Sequence, residues 1–292
     1  MGLAGGVVCA RGQYTVGMIL STAFPTLGLA GMWLLIDVAA VLYLLASVPW
    51  PAMRRFSAAA LVGGFVLHGL LLVIDIGGLG QEVPGARLGF GPVLSVTVWL
   101  VIAVYTVESR LVPLPAVRQW LGLAGVVAVG LAALFPGETR PIASALAPLH
   151  FALGVGSYGL FGAAVLHGVM LDAAERRLRA GGPGRMPAKH AFGMPLLQLE
   201  RLTFRFVEAG FCVLTATLVL GFVNTVQWRW SDHKAVFSLL AWCVFAALII
   251  GRRTRGWRGR RATRWLYGGA VLLLLGYAGS RFVLEVLLER TV

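Results

Sequence analysis

Five histidines are the residues of this chain with the most chemistry to offer, and their spacing sorts them. His68 and His150 fall within long apolar runs and His233 just ahead of one. An imidazole in such a setting can ligate a metal, relay a proton or bond a neighbouring helix. His150 has the most specific surroundings. If its run is helical, positions 150, 154, 157 or 158 and 161 share a face, so Gly154 leaves a gap beneath the imidazole with Tyr158 and Phe161 below it. A flat macrocycle could lie against such a face. A helix N-terminus also disfavours protonation of His150 and keeps the ring neutral, as a metal ligand must be. His167 is about 25 Å further along the same run at 1.5 Å per residue, and His190 lies in a polar segment, so neither shares a site with the other three. The plainer account of all of them is an interfacial polar residue or a helix–helix hydrogen bond.

The elements that must position these side chains follow from composition. Of the 292 residues, 58% are hydrophobic and only 13% charged, and the mean hydropathy of +0.83 lies outside the soluble range. Long Leu-, Val-, Ala- and Gly-rich runs lack the period-2 alternation of a barrel strand and are long enough to cross a hydrocarbon core, which takes roughly 20 helical residues. Backbone groups in lipid must be satisfied internally, so the runs are helices. Eight spans are expected, at about Leu29–Val48, Ala58–Ile76, Phe90–Val107, Trp120–Phe135, Leu149–Leu171, Phe204–Val226, Ala235–Gly251 and Trp265–Leu287. The fold class is thus an all-α polytopic transmembrane bundle. Residues 1–28 read as a poorly ordered N-terminal extension and 29–292 as one transmembrane domain. Within it, about 172–203 forms a cytoplasmic linker with an amphipathic, interfacial segment.

Charge sets the expected orientation. Alternating loops from the first span put 18 of the 25 Lys and Arg residues on one side, which the positive-inside rule makes the cytoplasm, with both termini outward. Trp50, Trp120, Trp257 and Trp265 then fall at the inner boundary, and Trp228 and Trp230 at the outer one. The net charge of +13 is accounted for by topology and anionic headgroups, so the bilayer is the expected partner and nucleic acid is not. Cys212 and Cys243 read as small packing residues, and no CxxC pair is present. No phosphate-cradling glycine loop, GxSxG elbow or carboxylate pair at catalytic spacing occurs. Asp37 reads as an interhelical hydrogen-bonder, and Arg281 with Glu285 as a local ion pair. Arg281, Lys234 and Arg140 also offer cations to a ligand's carboxylates on the side where His68, His150 and His233 gather.

These residues carry a resemblance. The stretch LHFALGVGSYGLFGAAVLHGVML from Leu149 resembles the histidine-bearing helix of the cytochrome c assembly protein family, the CcsA/CcmC-like haem-handling membrane proteins. The run HKAVFSLLAW, then GWRGRRA and LLGYAGSRFVLEVL, is similar to its short eight-helix branch, the HemX-like or YpjD-like inner-membrane proteins. HxxxxxxSY, HKxxxSxxAW and GWRGRR recur in order, and the likeness covers nearly everything after residue 28. It implies haem b bound near the outer face, a role in cytochrome c maturation, and other maturation proteins as partners in a bacterial inner membrane. It matches His150 to the family's outer-side ligand and His68 to the histidine of the second helix. The long tryptophan-rich outer loop of larger members is reduced here to WRWSDHK, and the second outer histidine of the last helix is replaced by Gly279, Ser280 and Arg281.

The second axial ligand is then His233 or His68, or the iron is five-coordinate. The pair His150 and His233 is favoured because His68 is roughly two turns deeper. Arg281 and Lys234 would pair with propionates, and Gly154 and Tyr158 would contact the macrocycle. The rival reading is a non-haem accessory or small transport protein on the same fold, with its histidines and Asp37 serving packing or ion passage.

Overall fold

An apolar run of some 20 residues has one local way to satisfy its backbone in hydrocarbon, the helix, and eight long helices run through the described residues. The computed structural model describes residues 28–49, 54–76, 86–87, 89–110, 115–137, 139–140, 146–180, 195–224 and 233–283. Within them run α1 (Gly28–Ser47), α2 (Arg54–Ile76), α3 (Phe90–Glu108), α4 (Pro115–Leu134), α5 (Ala147–Arg179), α6 (Leu196–Asn224), α7 (His233–Arg255) and α8 (Gly259–Leu274). α8 passes without a break through a π-helical turn, Leu275–Gly279, into Ser280–Phe282. Six of these helices, α2 to α7, are long and apolar enough to cross a bilayer, and Gly31–Ser47 of α1 is a shorter apolar helix. The non-helical pairing among the described residues is a two-residue antiparallel ladder, Ala86–Arg87 with Thr139–Arg140, which ties the α2–α3 connection to the α4–α5 connection.

The bundle has two cores. α1 to α4 surround Tyr43, Leu61, Ile102 and Leu121, while α5 to α8 surround Phe161, Val207, Phe245 and Leu266. Phe161 and Phe245 stack at 3.8 Å, almost parallel, at the centre of the second core. α5 joins the halves by packing on α3 on one side and on α6 and α8 on the other.

One end of the bundle carries the arginines. There Asp172 of α5 accepts hydrogen bonds from Thr263 and Tyr267 of α8, both at 2.9 Å, and Glu200 of α6 pairs with Arg252 of α7 at 2.8 Å. The GWRGRR turn between α7 and α8 shows why its residues are needed. Gly256 and Gly259 adopt φ of 62° and 56°, a region that a Cβ disfavours, and between them Trp257 tucks under Arg261 and against Trp265. Trp120 at this end is 72% exposed, as a boundary tryptophan would be.

Three expectations change. The segment read as amphipathic and interfacial up to residue 203 is, from Leu196 on, the opening of the long α6, because its apolar periodicity runs straight into the span. Cys212 and Cys243 lie on α6 and α7 as expected but face outward and are exposed, so they do not pack the core. Asp37 makes no interhelical hydrogen bond among the described residues and points away from the bundle, because α1 buries Met32, Ala39, Tyr43 and Ala46 instead. Glu285, Trp50, Trp228, Trp230 and His190 lie outside the described residues.

Candidate functional site

Opposite the arginine-rich end, α5 to α8 splay around a cavity of about 310 Å³. His150, Gly154 and Tyr158 of α5 line it from one side, as a shared face of one helix must. α6 contributes Thr217 and Gly221, α7 Lys234 and Ser238, and α8 Gly276 and Tyr277. The walls are mostly apolar, and the polar groups are few and spaced apart. That is the usual character of a small-molecule or cofactor site.

Local structure explains why so few polar groups reach the cavity. Ser157 donates to the carbonyl of Gly154 at 2.7 Å and Thr217 to that of Val213 at 2.8 Å, so both hydroxyls are spent within their own helices. Tyr158 donates to the carbonyl of Leu273, just ahead of the π-helical turn. That turn presents Gly276 and Tyr277 to the cavity, and π turns inside α-helices recur at functional sites. Two cations flank the Tyr277 ring: the Lys234 ammonium is 5.9 Å and the Arg281 guanidinium 5.8 Å from its centroid. Arg281 is only 6% exposed.

His150 is the group left open. It is the fourth residue of α5, and its Nδ1 is buried with no hydrogen-bond partner among the described residues. Its ring lies against α6 at Gly221, where an added Cβ would come within 2.9 Å of Cε1. A buried ring nitrogen without a partner costs about 1–3 kcal/mol, which a bound ligand would recover. An orphaned nitrogen beside a cavity and a glycine cradle that only a bare backbone permits together fit a ligand-holding imidazole.

The remaining histidines are dispersed. His68 is 1% exposed on α2 in the other half of the bundle, and both ring nitrogens are engaged: Nδ1 with the Tyr43 hydroxyl at 3.0 Å and Nε2 with that of Ser95 at 2.7 Å. It lines a separate cavity of about 50 Å³, together with the Asp75–Arg87 ion pair at 3.2 Å. His68 therefore does not gather with His150, contrary to expectation, because α2 turns it toward α1 and α3. His233 is the first residue of α7, next to the cavity-lining Lys234, and its side chain lies outside the described ones. His167, toward the arginine-rich end, bonds the Ala163 carbonyl at 2.7 Å and the Glu108 carboxylate at 2.9 Å. Among the described residues no three His, Cys, Asp or Glu side chains are grouped to hold a metal ion.

Gly221, Thr217, Ser238 and Tyr277 are cavity residues that reading the sequence did not single out. The HKxxxSxxAW motif offered a signal for Ser238 and the LLGYAGSRFVLEVL run one for Tyr277. Gly221 and Thr217 are ordinary residues of an apolar helix.

A family model described as "Cytochrome C assembly protein" matches residues 88–288, which takes in α3 to α8 and the whole cavity. The chain is similar to the inner membrane protein YpjD of Escherichia coli (strain K12), 29% identical over 247 residues that cover 80% of this chain and 88% of YpjD. It is also similar to two proteins named cytochrome c biogenesis protein CcsA. That of Parasynechococcus marenigrum is 29% identical over 177 residues, 56% of this chain and 53% of its own. That of Gloeobacter violaceus is 34% identical over 92 residues, 30% of this chain and 27% of its own. No solved structure matches the chain.

Proposed function

The chain belongs to the cytochrome c assembly protein family, and from that premise we propose that it holds haem, as haem b, in the cavity beside His150 and hands it on during cytochrome c biogenesis. It is a multi-pass inner-membrane protein. The observation that carries the haem reading is the unpartnered, buried Nδ1 of His150 at the wall of a 310 Å³ cavity. With one protein histidine there and no ligand cluster among the described residues, a bare ion would be poorly held. A metal that brings its own equatorial ligands needs only one or two imidazoles from the protein.

In this reading His150 and His233 would hold the iron, and Lys234 and Arg281 would pair with the propionates. Gly154 and Tyr158 contact the macrocycle. The bound group would supply redox-active iron and a rigid conjugated plane, and the chain's own contribution is to hold and orient it. Holding and passing on a cofactor requires no catalytic base, so the function is binding and relay rather than catalysis. Other cytochrome c maturation membrane proteins are the partners that such a relay requires. The arginine-rich end lies in the cytoplasm and the cavity opens toward the outer face, with both chain termini outward.

The test is an absorption spectrum, oxidised and reduced, of protein purified in mild detergent from haem-replete cells, beside His150→Ala, His233→Ala and His68→Ala. A Soret band with sharp reduced α and β bands, lost or shifted in His150→Ala and His233→Ala and kept in His68→Ala, is expected. A colourless protein that takes up no added hemin would overturn the haem reading and leave a non-haem accessory role for the family fold.

A further inference from the structure

Asp37 is the tenth residue of the 20-residue α1, about 15 Å from either end, which with α1 read as a span puts it near the depth of the bilayer midplane. Its side chain is exposed, and it has neither a hydrogen-bond nor an ion-pair partner among the described residues. A carboxylate facing lipid at that depth is costly to leave alone, by about 2.5–3.5 kcal/mol on insertion scales. Its neighbours on the outward face are Leu34 at 62% exposure, Val41 at 52% and Leu45 at 52%, with Val38 and Leu44 between them. Positions 34, 37, 38, 41, 44 and 45 repeat every seven residues. That spacing is the seam into which a second, nearly parallel or antiparallel helix packs, at about 20° crossing.

The occupant must complement an acid at mid-depth. Among the described residues, a second copy of this chain offers no basic side chain there: the exposed arginines, from Arg55 and Arg110 to Arg253 and Arg264, all lie toward one end of the bundle. Two copies meeting on this seam would bring Asp37 against Asp37. We propose that the outward face of α1 is a docking surface for a transmembrane helix of another membrane protein, one that carries Lys or Arg at the depth of Asp37. The seam lies outside the family-matched residues 88–288, on the half of the bundle away from the His150 cavity. It is therefore independent of whether haem is bound.

The experiment places a photo-crosslinking phenylalanine analogue at Val41 in the full-length protein, expressed in its own cells, with a control at the lipid-exposed Val127 of α4. Crosslinked peptides are identified by mass spectrometry. The expected product, from position 41 and not from 127, joins another membrane protein within a span that carries Lys or Arg near its middle. Asp37→Ala and Asp37→Asn each reduce its yield roughly tenfold, the scale of one interhelical polar contact. Both variants are expected to elute from a sizing column like the parent. Crosslinks to a second copy, to residues 1–27 of the same chain or to lipid alone would overturn the proposal. So would a crosslink that survives Asp37→Asn, or a variant that no longer folds, which would show that Asp37 is held within this chain.

Discussion

The imidazole of His150 on α5 rests against the bare backbone of Gly221 on α6, with Cε1 only 2.9 Å from where a Cβ would stand. Gly221→Ala should push the ring toward the cavity while adding a better helix former, worth up to about 1 kcal/mol to the helix. Purified G221A is therefore expected to melt within a few degrees of the parent and to bind less haem per protein, with a displaced Soret maximum. An unchanged spectrum would remove His150 from the cofactor's contacts.

Tyr158 links α5 to α8 at the entry of the π-helical turn through its bond to the Leu273 carbonyl. Tyr158→Phe keeps the ring and removes that donor, which should cost about 1–3 kcal/mol if the carbonyl is left unsatisfied. Scanning fluorimetry in detergent should report a lower Tm. An equal or higher Tm would mean that the turn does not depend on this bond.

His167 has oxygens on both sides: the Ala163 carbonyl at Nδ1 and the Glu108 carboxylate at Nε2. Glu108→Gln can donate its amide N–H to Nε2 of a neutral ring and should be tolerated within about 1 kcal/mol. Glu108→Leu leaves Nε2 without a partner, and His167→Leu leaves the carboxylate without its hydrogen-bond partner, so each should cost roughly 1–3 kcal/mol. Thermal unfolding of the three variants checks the order. Equal losses for Gln and Leu at position 108 would contradict it.

His68 bridges Tyr43 and Ser95, both fully buried. His68→Leu strands two buried hydroxyls and should lower stability by about 2–4 kcal/mol, read as a fall in Tm. The haem content of the protein that remains folded should be unchanged. Loss of pigment at unchanged stability would instead make His68 an iron ligand.

The sequence alone determined where the helices lie and which end of the bundle is basic, because both are local properties. Each span needs only its own 20 or so residues to be apolar, and Lys and Arg collect in the short connections between spans. The face of α5 that joins His150, Gly154 and Tyr158 was legible for the same reason, since a helix fixes its own periodicity. The family was legible because its motifs are short and contiguous along the chain.

Tertiary structure decided how the helices rotate and which of them meet. No 20-residue window contains that information, because an apolar helix in lipid looks much the same all round, and packing of small residues sets its rotation. Hence His68 proved to face Tyr43 and Ser95 in a different half of the bundle from His150. Hence also Gly221, one small residue among many, proved to be the surface on which His150 rests. Asp37, read as an internal hydrogen-bonder, proved to face outward, because α1 commits Ala39, Tyr43 and Ala46 to its neighbours and leaves the opposite face uncovered.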